Sequence, residues 1–88
     1  MPKKNLEEVA KELFDELQKA NEKYVQIQEK RERITEMEII NIKELKATSP
    51  RFKITTAEGT VLILTPSQFL RRKYIIIENG KEKKIVGI

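Results

Sequence analysis

The chain has 88 residues, of which 36% are charged, with a net charge of +4 and only three glycines and three prolines. That is one small folded domain with an appendage, not a disordered tract. Cysteine and histidine are both missing, which excludes a disulfide framework and a thiolate metal site and removes the commonest general base and the best nucleophile.

No apolar run approaches membrane-spanning length, and Met1-Pro2-Lys3-Lys4 leads into charged sequence, not into the apolar core of a signal peptide. A cytoplasmic, or virus-encoded intracellular, location is the expectation. Charge is unevenly spread. Residues 1–38 carry eight basic and ten acidic side chains, whereas residues 39–88 carry ten and four. A basic C-terminal half points to an anionic partner, with solubility alone as the bland alternative.

Asn5 reads as an N-cap with Glu8 three residues on. From there Leu6, Ala10, Leu13, Leu17, Ala20, Tyr24, Ile27, Arg31 and Ile34 fall at heptad spacing. The pattern predicts one amphipathic, coiled-coil-like helix from Leu6 to Ile34, roughly 43 Å long, that makes residues 1–35 a helical segment of their own. Glu7–Lys11, Asp15–Lys19 and Glu29–Arg33 place acid before base at i,i+4 on such a helix. A rod of that length overhangs a globule of about fifty residues. Leu6, Leu13, Leu17, Tyr24, Ile27 and Ile34 then become an interface for self-association or for a partner protein. The alternatives are a helix lying on its own sheet and a break near Ala20-Asn21 that folds it double.

Residues 36–88 read as a small basic β domain. Ile40 and Ile42 share a face of a first strand, which Leu45 rejoins only through a bulge; Thr35 with Glu38 keeps a second helix in competition. Thr48-Ser49-Pro50 breaks the chain. Arg51 to Ala57 alternates, with Phe52 and Ile54 inward. Ala57-Glu58-Gly59-Thr60 turns, and Val61-Leu62-Ile63-Leu64, apolar on both faces, reads as a central or doubly covered strand. Thr65-Pro66-Ser67-Gln68 is a capping box with proline at the first helical position, so a short helix through Arg72 follows. Tyr74 to Glu78 and Lys81 to Ile88 form a hairpin around Asn79-Gly80.

The expected fold is therefore α+β: a long helix, then a five-stranded antiparallel sheet or barrel with a short helix between strands three and four. OB-like closure is the first choice and an SH3- or Sm-like barrel the second. A coiled coil running into an OB-type barrel resembles the layout of the N-terminal part of proteasomal ATPases. The resemblance is architectural, and no ATPase motif accompanies it.

Catalysis has little to work with. Gly59, Gly80 and Gly87 stand alone, so no glycine-rich loop cradles a phosphate. Glu36, Glu38, Glu58 and Glu78 read as solvated charge, with no metal site and no cofactor among them. What remains is a binding surface. Arg51 and Lys53 form one basic cluster, Arg71, Arg72, Lys73 and Tyr74 a second, and Lys81, Lys83 and Lys84 a third. Cations interleaved with aromatic rings suit single-stranded DNA or RNA; Phe52 and Phe69 are read as core. The expectation is a non-catalytic interaction protein with a nucleic-acid ligand. The alternative is a purely protein-binding accessory subunit, assembly factor or small inhibitor.

Overall fold

The computed structural model describes residues 5–44 and 47–86. Met1 to Lys4, Leu45, Gly87 and Ile88, on which some of the expectations above fall, lie outside the described residues.

Helix α1 spans Leu6–Lys19, 14 residues. Its start is as the sequence indicates: the Asn5 side chain accepts from the Glu8 N–H at 2.8 Å. Its end corrects the expectation of a long rod. The Ala20 N–H closes on the Leu17 carbonyl and the chain becomes extended, with strand β1 at Glu22–Ile27 and β2 at Lys30–Glu44. The physical reason is a change of period. At Val25 and Ile27 the inward-facing apolar residues stand two positions apart. β-branched residues at that spacing satisfy a pleated surface better than a helix.

There is thus no coiled coil, and the likeness to a coiled coil feeding a barrel goes with it. Leu13 and Leu17 are buried in the chain's own core, Tyr24 and Ile27 sit on β1, and Ile34 is buried on β2. Only Leu6 of the expected helix interface is substantially exposed. Glu29 and Arg33 belong to a turn and a strand, so they are no helical pair.

Strand β3 covers Ala47–Thr56, β4 Val61–Leu64, helix α2 Pro66–Arg71, β5 Lys73–Glu78 and β6 Lys81–Val86. Thr48-Ser49-Pro50 does not break the chain. It runs inside β3, where Pro50 faces Asn41 and β2 is the only paired neighbour. A strand with one open edge tolerates the missing N–H. The expected capping box is present in full: Thr65 accepts from the Gln68 N–H, and Gln68 accepts from the Thr65 N–H at 3.0 Å. Asn79 and Gly80, with φ of 51° and 76°, make the expected two-residue hairpin turn.

The six strands of the described residues form one antiparallel sheet in the order β4-β3-β2-β1-β5-β6. The order is linear, with edges at β4 and β6, so the expected OB-like or SH3-like five-stranded barrel is replaced by an open six-stranded sheet. A bulge between Ile34 and Glu36 lets β2 serve two partners. Lys30–Arg33 pair with β1, and Ile34 onward pairs with β3.

Both helices pack on one face of the sheet. Val25, Ile34, Phe52, Ile54, Leu64, Tyr74 and Ile76 meet Ala10, Leu13, Phe14, Leu17, Phe69 and Leu70 there. All three phenylalanines and Tyr74 form its centre, with Phe52 and Phe69 stacked at 4.6 Å and Phe69 and Tyr74 at 5.3 Å. β4 is the further correction. It is an edge strand, not a covered one: Leu62 and Leu64 face the core while Val61 and Ile63 are half exposed.

Candidate nucleic-acid interface

The β1–β2 turn, the end of β4 and the α2–β5 junction meet at one end of the sheet and leave an open groove of about 500 Å³. Gln26, Gln28, Leu64, Gln68, Arg71, Arg72 and Lys73 line it. The short helix explains the clustering. Thr65 and Pro66 fix its start, Phe69 and Leu70 anchor it in the core, and the next three residues emerge at its C-terminal end as consecutive cations. Three carboxamides share the lining with them, and none of the described residues that line it is acidic.

A second concavity, of about 420 Å³, lies along β2 and β3 and is lined by residues including Lys23, Glu36, Glu38 and Lys53. Its charges are largely satisfied within the chain. Lys53 is 3.6 Å from Glu38, and Lys23 donates to the Ala20 carbonyl. It offers an anion much less than the groove does.

The sequence-derived basic residues separate accordingly. Arg71, Arg72 and Lys73 are brought together. Arg51 and Lys53 sit on β3, two strands away from β1, with Arg51 donating to the Pro50 carbonyl. Lys81 and Lys83 fall on the helix side of β6, where Lys83 meets Glu16 of α1 at 3.3 Å. Lys84, opposite Ile75, points to the other face of the sheet. Tyr74 is corrected outright: its side chain is fully buried and its hydroxyl donates to the Phe69 carbonyl at 2.7 Å. Burial pushes its phenol well above the ordinary range. It is a core residue that no base can reach.

Sequence reasoning missed the residues that β1 and β2 carry. Alternation places Tyr24 and Gln26 of β1 with Arg31 and Arg33 of β2 on the helix-free face, next to Lys73 and Ile75 of β5. Assigning residues 22–34 to a helix hid this grouping. The alternating run from Tyr24 to Ile27 was the signal that could have found it.

A carboxylate pair lies elsewhere. Glu32, on the helix side, accepts from the Thr56 hydroxyl at 2.8 Å. Hydrogen bonds from Thr60 and Thr56, aided by Lys30, hold its carboxyl below the usual range. Glu58, in the β3–β4 turn, is pushed above that range by desolvation and by its closeness to Glu32. Two carboxylates on a threonine scaffold brace the turn. No group of three or more acidic ligands stands ready for a metal among the described residues, and no helix there is long and apolar enough to cross a membrane.

No protein-family model matches the chain. It is similar to "Uncharacterized protein 2" of Sulfolobus islandicus filamentous virus (isolate Iceland/Hveragerdi), with 51% identity over 81 residues, which cover 92% of this chain and 95% of the relative. The chain belongs to the family of that viral protein. The match spans nearly the whole length of both chains. No solved structure matches the chain.

Proposed function

We propose that this is a small virus-encoded, non-catalytic protein that binds nucleic acid through the groove at the α2–β5 junction. The observation that carries the reading is the lining of the groove: Arg71, Arg72 and Lys73 in succession, together with Gln26, Gln28 and Gln68, and no acidic side chain among the described residues that line it. Guanidinium and ammonium groups take phosphate oxygens, while carboxamides both donate to and accept from base edges or sugars. The basic bias of residues 39–88 adds long-range attraction, and the filamentous-virus relative supports a viral origin.

The test is fluorescence anisotropy with labelled single-stranded DNA, duplex DNA and RNA at two salt concentrations. With three phosphates neutralised, affinity for a single strand should fall about twentyfold between 50 and 200 mM salt. Reversing charge at Arg71, Arg72 and Lys73 together should abolish binding. Binding absent at low salt, or insensitive to the triple reversal, refutes the reading.

A protein-directed role has one observation in its favour. Val61 and Ile63 are half exposed on β4, whose outer backbone edge is unpaired. Should nucleic acid fail to bind, self-association measured by light scattering, and its loss on replacing Val61 and Ile63 with threonine, would favour that role.

A further inference from the structure

The chain has five aromatic side chains, three phenylalanines and two tyrosines. Four of them, Phe14, Phe52, Phe69 and Tyr74, make the buried cluster on the helix side. The fifth, Tyr24, stands on the opposite face. Its partners across the ladder are Arg33 on β2 and Ile75 on β5. It is only partly buried, and its hydroxyl donates to Glu22 on the same face at 3.2 Å. The helix-side core does not account for a ring in that place.

The surroundings of Tyr24 are those of a polyanion site. On the helix-free side of β1, β5, β6 and the first turn of β2, register places the cations Arg31, Arg33, Lys73 and Lys84. The carboxylates on that stretch are Glu22 and Glu82. Both are engaged: Glu22 accepts from Tyr24, and Glu82 accepts two hydrogen bonds from Arg31 at 3.2 Å. Gln26, two residues along β1 from Tyr24, lines the groove, as does Lys73. The ring therefore shares the helix-free face with two residues of the groove's lining.

Resting on the nucleic-acid reading, we infer that Tyr24 is a stacking platform for an unpaired base, so that the ligand is single-stranded. The path runs from the groove across β1. Arg71, Arg72 and Lys73 hold the backbone, and the next base lies on Tyr24 with its phosphates toward Arg33 and Arg31. A duplex keeps its bases stacked on one another and offers none to a ring set in a sheet; a single strand offers every base. A phosphate arriving here competes with Glu82 for the Arg31 guanidinium.

The experiment compares Tyr24→Leu and Tyr24→Phe with the wild type, using fluorescent oligo(dT), oligo(U) and a duplex of equal length. Tyr24→Leu should weaken single-strand binding about tenfold, the effect of losing one stacked base, and leave the weaker duplex binding and the salt slope unchanged. Tyr24→Phe, which keeps the ring and loses only the hydroxyl, should bind like the wild type. With no tryptophan and two tyrosines present, saturation with oligo(dT) should quench the emission of the Tyr74→Phe variant, whose tyrosine is Tyr24, and leave that of the Tyr24→Phe variant, whose tyrosine is the buried Tyr74, unchanged. Wild-type affinity in a folded Tyr24→Leu variant, with binding still abolished by reversal at Arg71, Arg72 and Lys73, overturns the platform and spares the groove. Loss of discrimination between single strand and duplex in the wild type also overturns it. No binding by any form refutes both readings together.

Discussion

Arg31 and Glu82 meet end to end, Nη1 on Oε2 and Nη2 on Oε1, both at 3.2 Å. Their strands, β2 and β6, have β1 and β5 between them. In a flat sheet three strand steps alone amount to roughly 14 Å. The sheet must curl toward its helix-free side to bring these side chains together. That curl accounts for Ile75, which points away from the helices and is nevertheless fully buried. Both partners are about half exposed, so the direct contribution is small. A double-mutant cycle with Arg31→Ala and Glu82→Ala should give a coupling of about 0.3–1 kcal/mol that shrinks with added salt. In binding experiments Glu82→Gln, which frees Arg31, should raise affinity for single strands; unchanged affinity would show that Arg31 takes no part.

The carboxylate pair at the β3–β4 turn should make stability depend on pH in two opposing ways. Glu32 is held below the usual range, so its stabilising effect is present above the unfolded value and is lost as pH falls through the lowered one. Glu58 is raised, so its protonated form favours the fold below the unfolded value, and that advantage is lost as pH rises through the raised one. Glu58→Gln should therefore raise the melting temperature at neutral pH, with the gain vanishing under acid conditions. Glu32→Gln should lower it at neutral pH. Thermal melts from pH 3 to pH 8 distinguish the two; parallel curves for wild type and Glu58→Gln would dismiss the coupling.

The aromatic cluster should dominate stability. Phe52 stacks on Phe69 and is fully buried, so Phe52→Ala should cost about 3–5 kcal/mol, a large share of what a domain this size possesses. Tyr74→Phe removes one buried hydrogen bond to the Phe69 carbonyl and should cost about 1 kcal/mol. Urea denaturation measures both. Because burial keeps the Tyr74 phenol protonated, half of the alkaline tyrosinate absorbance should appear only when the protein unfolds.

The β1–β2 turn carries local strain. Gln28 has φ of 55° without being a glycine or an asparagine, a conformation that costs a side-chain-bearing residue roughly 1 kcal/mol. Gln28→Gly should raise the melting temperature by a few degrees, the entropy of glycine in the unfolded chain offsetting part of the gain. Asn79→Val in the other tight hairpin, where φ is 51°, should lower it. A fall for Gln28→Gly would mean that the Gln28 side chain itself holds the turn.

What could be read in advance follows from how each signal arises. The caps at Asn5 and Thr65 and the turn at Asn79-Gly80 depend on residues within four positions of one another, and each was legible. The inward placement of Phe52, Ile54, Phe69 and Leu70 rests on short periodicities and was legible too. The end of α1 was not. Tyr24, Ile27 and Ile34 satisfy a heptad count as readily as an alternation, and the Gln28-Glu29 turn carries neither glycine nor asparagine to mark it. That one ambiguity hid a strand and moved Tyr24 from a candidate surface into an imagined seam. Of the basic residues, adjacency in sequence sufficed for Arg71, Arg72 and Lys73. Arg31 and Arg33 needed the β1–β2 register, which no local pattern announces.

Strand β1 is the keystone of the molecule. In the strand ladder of the described residues it alone joins the meander of β2, β3 and β4 to the hairpin of β5 and β6, through pairs separated by about fifty residues of chain. Shifting it by a single position would drive the Tyr24 phenol in among the phenylalanines and turn Val25 out to solvent. The pairing that welds the two halves therefore also decides which side of the molecule displays its ring, so that assembly of the protein and presentation of its surface are one event.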